Sequence, residues 1–505
     1  MSKICLCLTG KTLAHDLEII EHYRKYIDLV ELRVDCLDPD EGFLIRRFPG
    51  MAGLPVILTI RRERDGGRYT GTEGSRVSLL AEGLANAFTD RRRNFAYIDL
   101  EDYLNVPSLE DAARVFGTRI IRSYHNITGV DEDIVGKLNS LRHTGDEIVK
   151  VAVMPQSFAD VVRVFRAAQQ TPDLEKILVC MGSFGIPSRI LAAHFGSKFS
   201  YTAATGEFIG APGQLNPRTL AELYRFRQIT EKTRIFGITG LPLTVTSSPA
   251  IFNTVFALEN IDAVYVPFPA DSVESFLELA ERLNMPGASV TVPHKESIIP
   301  WLASVSDQVR NIGACNTIIY NREGWHGVNT DTAGFSASLL NFIGKKNLRG
   351  KKVSIIGAGG AAHAVAAEVH RLEGKALVLN RTEIRAKELA SRYQFAWNML
   401  NRTGIEHIQK YSDIIIQTTS VGMAPDNDAD PLALYQFSGH EIVMDLIYEP
   451  VQTTLLRRAS DAGCPTCNGS DMLIRQAELQ YKYFIGREFP PQFIARIHSL
   501  VHENK

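Results

Sequence analysis

Eight short apolar runs rich in β-branched residues recur through the first 205 residues, and they constrain the fold more than any other feature of the chain. Apolar residues at helical spacing fill the stretches between them, as in Val77–Phe88 and Phe158–Ala168. Alternating strand and helix signals indicate βαβ units and a parallel sheet. Eight such units in this length predict an α/β fold, a (β/α)8 barrel. The runs are Ile4–Leu8, Leu29–Val34, Val56–Ile60, Ala96–Leu100, Arg119–Ser123, Ile148–Val153, Ile177–Cys180 and Phe199–Ala203.

One lysine, Lys150, lies inside the sixth of these runs. On an edge strand its stem could reach water, but a closed parallel barrel has no edge and its strands are covered on both sides. Burial and nearby cations disfavour the ammonium and leave a nucleophilic amine, which forms Schiff bases with ketones. We therefore interpret Lys150 as a candidate nucleophile.

The other polar residues of the barrel segment cluster at predicted strand ends, where barrels carry their active sites. His125 could be a packed histidine, or a base that takes the proton next to an activated carbonyl. Each arginine could be a surface charge, but together they offer forked donors for a carboxylate. The set comprises Glu31, Arg33, Arg61, His125, Arg189 and Gln214.

These residues stand in motifs that resemble type I 3-dehydroquinate dehydratase over residues 3 to about 228. The motifs are Glu31-Leu-Arg33-Val-Asp35, Ser123-Tyr-His125-Asn, Lys150-Val-Ala-Val-Met-Pro155, Met181-Gly-Ser-Phe-Gly-Ile-Pro-Ser-Arg189 and Ala211-Pro-Gly-Gln214. The resemblance implies that Lys150 forms an imine with the substrate ketone and that His125 removes the C2 proton. It also implies a substrate-binding set in which Arg189 binds the carboxylate, with Arg61, Arg33, Glu31 and Gln214 holding carboxylate and hydroxyl groups.

Three positions depart from the dehydratase pattern. Asp65 stands where the family usually has a glutamate, so the carboxylate expected to orient His125 is one methylene shorter. Gly210 and Cys7 each replace a serine, and Cys7 alternates with Cys5 in a strand-like run that is typical of packing residues. We expect these changes to affect rate and affinity rather than reaction type.

A second fold begins after a helix start at Asn216-Pro217, which predicts a helix to about Gln228 and a polar join at 230–234. Residues Lys352 to Ala362 then read as a strand, a Gly-x-Gly-x-x-Ala turn and the start of an alanine-rich helix. This is the dinucleotide fingerprint in its required context, with the pyrophosphate at a helix N-terminus. The cofactor-binding residues at this turn are Gly357, Ala358, Gly359, Gly360 and Ala361.

The end of the next predicted strand sets the choice of cofactor. NAD-binding proteins place an acidic residue there for the ribose hydroxyl, whereas this chain has Asn380-Arg381-Thr382 with Arg385 one turn on. Glu383 comes three residues too late for that role. Arginines suit a 2′-phosphate, so the pattern predicts NADP.

The segments around this unit predict a separate substrate lobe that contains Lys295 and Asp331. A lysine paired with an aspartate is a plausible acid/base unit for a carbonyl that is being reduced. From 235 to about 490 the chain resembles shikimate dehydrogenase, in motifs that include Val290-Thr291-Val-Pro-His-Lys295, Gly313-Ala-Cys-Asn316-Thr, Asn329-Thr-Asp331, Asp445-Leu-Ile-Tyr448 and Gly469-Ser-Asp-Met-Leu-Ile-Arg-Gln476. Ser289 and Gln417 replace asparagines that are usual in this family, and Phe252 replaces a histidine.

The second resemblance implies that Lys295 and Asp331 handle the proton at the C3 oxygen. It implies that the substrate is held by Thr246, Ser248, Thr291, Asn316, Tyr448 and Gln476. The cofactor-binding set that it implies comprises the glycine turn, Asn380, Arg381, Thr382, Arg385, Leu446 and Gly469.

Charge and cysteine content limit the partners. Lys plus Arg is 55 and Asp plus Glu is 57, a net charge of -2 that argues against a general nucleic-acid binder. No apolar run approaches the roughly 18 residues that span a bilayer, and the start of the chain lacks a signal-peptide pattern, so we expect a cytosolic protein. Seven scattered cysteines do not indicate a disulfide framework. Cys464-Pro-Thr-Cys467 lacks a second ligand pair, so we expect no metal.

The two halves together predict a bifunctional enzyme that dehydrates 3-dehydroquinate to 3-dehydroshikimate and reduces the product to shikimate with NADPH. Two alternatives stay open: an inactive regulator of quinate use, and a catabolic quinate/shikimate dehydrogenase in the second half. The predicted domains are a barrel over 1–229, a substrate lobe over 234–338 plus 469–505, and an NADP-binding lobe over 339–468. The oligomeric state is left open.

Overall fold

The computed structural model of the chain describes residues 2–84, 90–204, 211–243 and 246–503. Gly210, one of the departures from the dehydratase pattern, lies outside these residues. The chain divides into two compact units, Met1–Ile235 with Asp262–Asn284 and Phe236–Ile261 with Met285–Lys505. Residues 262–284, which the sequence assigns to the substrate lobe, thus cluster with the barrel. The three-domain division with its own boundaries stays a prediction.

Eight parallel strands form the core of the first unit, in the order β7-β6-β5-β4-β3-β2-β1-β8. The strands are β1 Lys3–Leu8, β2 Leu29–Arg33, β3 Val56–Thr59, β4 Tyr97–Glu101, β5 Arg119–Asn126, β6 Ile148–Val153, β7 Lys176–Cys180 and β8 Phe199–Ala203. A parallel bridge between Lys176 and Ser197 joins the two ends of this order. The predicted (β/α)8 barrel is therefore confirmed, with strand ends within one residue of the apolar runs except in β5, which extends three residues further, to Asn126.

Seven helices lie along the barrel, and their apolar faces explain where they form. The helices are α1 Leu13–Tyr23, α2 Phe48–Ala52, α3 Glu73–Leu84, α4 Pro107–Val115, α5 Ile134–Ser140, α6 Phe158–Gln170 and α7 Ile186–Ile190. Helix α6 begins with a capping box between Ser157 and Asp160 and buries Val161 and Phe165. The predicted continuous helix from Asn216 to Gln228 is wrong, because the helical turn ends at Leu223 and Arg225 adopts a left-handed backbone (φ 50°).

The second unit contains two sheets. The strands that follow β8 along the chain are β9 Arg234–Thr239, β10 Ala263–Phe268 (in the first unit), β11 Gly287–Val290, β12 Ser304–Val305, β13 Thr317–Asn321, β14 Gly324–Val328, β15 Lys352–Ile356, β16 Lys375–Asn380, β17 Ala396–Met399, β18 Ile414–Gln417, β19 Ile442–Asp445 and β20 Thr466–Cys467. Strands β9, β11, β13, β14 and β12 are neighbours in a mixed sheet. The second sheet is all parallel in the order β17-β16-β15-β18-β19-β20, which is the architecture that dinucleotide-binding folds use.

The helices that follow α7 along the chain carry several site residues. They are α8 Ser248–Leu258, α9 Val273–Arg282 (in the first unit), α10 His294–Ser297, α11 Asp307–Ile312, α12 Asp331–Ile343, α13 Gly360–Arg371, α14 Glu383–Arg392, α15 Arg402–Glu406, α16 Thr454–Asp461, α17 Ser470–Ile485 and α18 Ile494–Glu503. One buried cluster includes Leu339 of α12, Val365 of α13, Ile414 of β18 and Met472 of α17. In the described part of the chain, every helix is too short or too polar to cross a membrane.

A buried ion pair on the outer side of the barrel gives a stability prediction. Arg122 of β5 is fully buried, and its guanidinium lies 2.9 Å from Glu110 of α4. Truncating Glu110→Ala leaves an uncompensated buried cation, so we expect the free energy of unfolding to fall by about 3–5 kcal/mol in urea denaturation. The matched control is Asp111→Ala, whose exposed carboxylate pairs with Arg114 and whose loss changes stability by about 0.5 kcal/mol or less. Equal losses in both variants would contradict the prediction.

Candidate active sites

A cavity of about 310 Å³ opens among the C-terminal ends of the barrel strands. This volume suits a small organic molecule. Every site residue predicted for the barrel lines it: Glu31, Arg33, Arg61, Asp65, His125, Lys150, Arg189 and Gln214. The strand ends thus bring together side chains that are up to 183 positions apart in the sequence.

Lys150 projects from β6 into this cavity and is 5% exposed. Its Nζ donates a hydrogen bond to Asp99 Oδ2 at 2.8 Å and lies 3.7 Å from Glu31 Oε1. The ammonium also lies 4.5 Å from the centre of the Tyr201 ring, within range of a cation–π contact. A buried amine held at a cavity wall is the geometry that Schiff-base chemistry requires.

The buried charges around the cavity pair with one another, with one exception. Arg33 forms a salt bridge with Asp35 at 2.7 Å, and Arg61 forms one with Asp99 at 2.9 Å. Arg61 also reaches Glu101, which Arg76 neutralises from the other side at 2.8 Å. Paired guanidinium groups offer hydrogen bonds to a ligand but little net positive charge.

Arg189 is the exception, because no carboxylate of the described residues lies within ion-pair distance of it. Its two terminal nitrogens donate to the carbonyls of Tyr201 and Pro212 at 3.3 and 2.9 Å, and its Nε has no hydrogen-bond partner. Burial lowers the pKa of this guanidinium to about 10. An uncompensated buried cation in a cavity wall is a site for an anionic group of a ligand.

His125 lies in β5 and is poised as a base. Burial, together with the cations Arg61 and Lys150, holds its pKa well below the ordinary value of 6.5. The imidazole is therefore neutral at neutral pH and can accept a proton. Its Nδ1 lies 3.4 Å from Arg61 Nη1. Asp65 also lines the cavity, but its carboxylate accepts a hydrogen bond from the Tyr103 hydroxyl at 2.6 Å.

Sequence reasoning missed three residues of this site. Asp99 and Glu101 lie in β4 and hold Lys150 and Arg61. The signal was available, because a carboxylate inside the apolar run Ala96–Leu100 is as unusual as the lysine inside the sixth run. Cys7 lines the cavity as well, with its thiol 3.1 Å from Glu31 Oε2 and 3.2 Å from Gln214 Nε2.

Lys295 and Asp331 meet in the second unit. Asp331 is the first residue of α12, and its Oδ2 accepts a hydrogen bond from Lys295 Nζ at 2.6 Å. Asn316 donates to Asp331 Oδ1 at 2.8 Å and to Gln476 Oε1 at 3.1 Å. Four predicted residues therefore form one hydrogen-bonded group, with a charged pair at its centre.

A second layer of hydrogen bonds holds this group in place. Gln480 lies one helical turn after Gln476 on α17 and is 3% exposed. Its amide accepts from the Ser289 hydroxyl at 2.9 Å and donates to Thr317 Oγ1 at 2.9 Å, and Thr317 in turn donates to Asn316 Oδ1. Ser289, which stands where the family usually has asparagine, thus bonds to Gln480, a residue that sequence reasoning missed.

The remaining substrate candidates lie on three segments. Thr246 Oγ1 accepts from the Ser248 amide at 3.4 Å, and hydrogen bonding to Thr246 partly offsets the burial that raises the pKa of Tyr448. These three hydroxyl groups therefore share one neighbourhood. Thr291 follows β11 directly, four residues before Lys295.

The glycine turn between β15 and α13 has the shape of an anion cradle. Gly357 has a φ of 115°, and a Cβ there would lie 2.4 Å from Thr418 Oγ1. A Cβ on Gly360 would lie 3.0 Å from the Lys295 stem, whereas one on Gly359 would meet open space. The first-turn amides of α13, from Gly360 and Ala361 onward, are thus open to a phosphate.

The turn after β16 completes a site that fits NADP. Asn380 donates to the carbonyl of Thr382 at 2.9 Å, which shapes the turn. Arg381 and Arg385 are exposed, and neither forms an ion pair with any described residue, so both are available to a 2′-phosphate. Leu446 and Gly469 approach so closely that a Cβ on Gly469 would lie 2.0 Å from the Leu446 carbonyl.

Comparisons with known proteins show which families the chain is similar to. Family models match for type I 3-dehydroquinase (residues 4–231), the shikimate dehydrogenase substrate binding domain (238–318) and shikimate / quinate 5-dehydrogenase (340–424). The chain is 31% identical over 495 residues to the chloroplastic bifunctional 3-dehydroquinate dehydratase/shikimate dehydrogenase of Arabidopsis thaliana, covering 94% of this chain and 80% of that protein. It is 35% identical to the shikimate dehydrogenase (NADP(+)) of Caldanaerobacter subterraneus, covering 53% of this chain and 97% of that protein.

Among solved structures, the dehydroquinate dehydratase and shikimate dehydrogenase of S. pombe AroM covers 99% of this chain and 98% of its own. Its sequence identity is 23% and its TM-score is 0.42.

The unpaired charge of Arg189 gives a prediction about the stability of the protein and its affinity for anions. The fall of its pKa from 12.5 to about 10 corresponds to a penalty of about 3 kcal/mol for the charged form in the folded protein. We expect Arg189→Met to raise the free energy of unfolding at pH 7 by about 1–3 kcal/mol, while anionic ligands lose their affinity for the cavity.

The matched control is Arg33→Met in the same cavity. It leaves Asp35 buried without its cation, so urea denaturation should show a loss of about 3–5 kcal/mol. A destabilised Arg189→Met protein would mean that the folded state already neutralises that cation.

Proposed function

The chain belongs to the family of bifunctional 3-dehydroquinate dehydratase/shikimate dehydrogenases, and we propose that Lys150 and Lys295 are the residues that carry its two reactions. It dehydrates 3-dehydroquinate to 3-dehydroshikimate and reduces that ketone to shikimate with NADPH. It is therefore both a lyase and an NADP-dependent oxidoreductase. The observation that carries the assignment of the first site is the buried Lys150 amine in a cavity whose one unpaired cation is Arg189, among the described residues.

In the dehydration, the Lys150 amine condenses with the substrate ketone and one water is released. The resulting iminium acidifies the neighbouring C2–H, and neutral His125 takes that proton. The electron pair left at C2 forms the new double bond as the C1 hydroxyl leaves, and the proton on His125 goes to this hydroxyl, which departs as water. Hydrolysis of the imine then frees Lys150 and the product.

The other cavity residues orient the substrate. Arg189 binds the carboxylate, which satisfies its unpaired charge. Glu31, Arg33, Arg61 and Gln214 offer acceptors and donors to the hydroxyl groups. Asp65 supports the arrangement through Tyr103.

In the reduction, bound NADPH supplies the hydride. Lys295 holds and protonates the C3 oxygen, and Asp331 fixes the lysine through the hydrogen bond at 2.6 Å. Asn316 and Gln476 hold substrate hydroxyls, while Thr246, Ser248, Thr291 and Tyr448 bind the remaining polar groups. The glycine turn holds the pyrophosphate, and Arg381 with Arg385 holds the 2′-phosphate.

The alternatives are less well supported. An inactive regulator would be expected to lack catalytic groups, and Lys150, His125, Lys295 and Asp331 are all present. The Arg381 and Arg385 turn favours NADP and therefore biosynthesis over quinate catabolism. We also propose that the barrel (1–229), the substrate lobe (234–338 plus 469–505) and the NADP-binding lobe (339–468) are the folding units, and that the protein works in the cytosol.

Paired lysine variants test the two sites separately. With 3-dehydroquinate alone the protein should accumulate 3-dehydroshikimate, and with NADPH it should form shikimate. Lys150→Ala should abolish the dehydration and leave the reduction of supplied 3-dehydroshikimate unchanged. Lys295→Ala should slow the reduction by about 10²–10⁴-fold and leave the dehydration intact. Each variant is the folding control for the other, and loss of both activities in either one would contradict the division of roles.

The cofactor preference depends on Arg381. Removing one charge-assisted hydrogen bond of about 1.5–3 kcal/mol should raise the KM for NADPH by about 10–100-fold in Arg381→Ala, because the 2′-phosphate loses its partner. The KM for NADH should stay within about twofold. Arg349→Ala removes an exposed arginine that pairs with Glu373 and should change neither value. An equal rise for both cofactors would count against a phosphate contact.

A further inference from the structure

Asp99 is a buried carboxylate at the barrel cavity to which the sequence assigned no role. It lies in β4, and its side chain is completely buried. Its Oδ2 accepts from Lys150 Nζ at 2.8 Å. Its Oδ1 accepts from the Ser123 hydroxyl and lies 2.9 Å from Arg61 Nη2. Both oxygens are therefore fixed, and the direction of the Lys150 amine is fixed with them.

Polar and titratable groups face Lys150 from most strands of the barrel. They are Cys5 of β1, Glu31 of β2, Arg61 after β3, Asp99 of β4, His125 of β5 and Tyr201 of β8. Within the described ranges, Asp99 is the carboxylate at hydrogen-bond distance from Nζ. Glu31 is 3.7 Å away, and its oxygens already accept from Thr59 and Cys7 at 3.0 and 3.1 Å.

Asp99 is unsuited to be the proton acceptor in imine formation. Burial alone would raise its pKa, but Arg61 and Lys150 outweigh burial and hold the pKa well below the ordinary value. The group therefore stays a carboxylate throughout the working pH range. His125, which burial keeps neutral, is the base available for the proton.

We propose that Asp99 is a positioning residue for the dehydration: its carboxylate accepts the hydrogen bond of Lys150 Nζ, aims that nitrogen into the cavity and pairs with its charged form. This inference rests on the proposed function of Lys150. The ammonium gives one proton to His125, and the nitrogen lone pair then bonds to the carbonyl carbon. The oxygen leaves as water with that proton and one more from the nitrogen, and the positive charge remains on the iminium beside Asp99.

The test is the pH profile of kcat/KM for dehydration, combined with reductive trapping. Wild-type protein, treated with 3-dehydroquinate and cyanoborohydride, should gain a covalent mass at Lys150. Its kcat/KM should rise with pH along an acidic limb, because attack on the ketone requires a neutral amine. Asp99→Asn removes the negative partner, so the free amine becomes available earlier and the acidic limb should move down by about one to two pH units.

Two variants separate charge from packing. Ser123→Ala removes the other hydrogen bond to Asp99 without a change of charge, and its limb should stay where the wild-type limb lies. Asp102→Asn is the same substitution three residues further on, where the carboxylate pairs with Lys137 at 3.4 Å, and it should leave the limb in place too. Retained NADPH-dependent reduction by each preparation shows that the chain is folded.

The outcomes distinguish a failure of the proposed function of Lys150 from a failure of the positioning role of Asp99. No mass at Lys150 in the wild-type protein would overturn the proposed function itself. A trapped mass with an unshifted limb in Asp99→Asn would overturn the positioning role alone. If Asp99→Asn does not fold, Asp99→Glu serves instead: it keeps the charge, so the limb should stay while the displaced amine lowers kcat. A wild-type kcat in Asp99→Glu would also overturn the role.

Discussion

The barrel depends on a ladder of buried ion pairs that runs from Lys150 through Asp99, Arg61 and Glu101 to Arg76. Each charge would destabilise the fold by several kcal/mol if it were buried alone, so each member of the ladder depends on its partners. Parallel strands make this possible, because inward-facing residues of adjacent strands lie side by side: Ser123 of β5 is in register with Lys150 of β6. Arg189 stands outside this ladder, with no carboxylate of the described residues within ion-pair distance.

In the second unit, neutral amide side chains rather than ion pairs satisfy the buried polar groups of the site. Asn316 joins Asp331 to Gln476, and Gln480 joins Ser289 to Thr317 behind them. Amides both donate and accept, so such a network can be fully satisfied without further charges. One charged pair, Lys295 with Asp331, is then left at its end. Burial raises the pKa of Asp445 to about 7. The Asp445 carboxyl group accepts a hydrogen bond from the Ile447 amide and so holds the loop before Tyr448.

Periodicity predicted the barrel and the dinucleotide fold because both are repeats of one local pattern, and strand ends predicted which side chains converge on the cavity. Periodicity could not predict which polar side chains pair with one another. Asp99 and Glu101 lie at the predicted fourth strand, yet their roles depend on partners 25 to 51 positions away, which only the folded barrel brings together. Gln480 was missed for the same reason, since its partner Ser289 lies 191 positions earlier. Asp65 was expected to orient His125; both line the cavity, and the Asp65 carboxylate accepts a hydrogen bond from Tyr103, a partner that periodicity does not predict.

The three arginines of the cavity were equivalent in the sequence, and their partners make them different in the fold. Arg33 and Arg61 carry their own carboxylates and act as rigid donors, while Arg189 supplies net charge. A net charge of -2 is therefore compatible with an anion site, because one uncompensated guanidinium at low dielectric acts more strongly on a bound anion than exposed charges that salt screens. The turn after β16, which is predicted to hold the NADP 2′-phosphate, presents positive charge in a different way. Arg381 and Arg385 are exposed and free of ion pairs with the described residues, so they attract a dianion without the cost of burial.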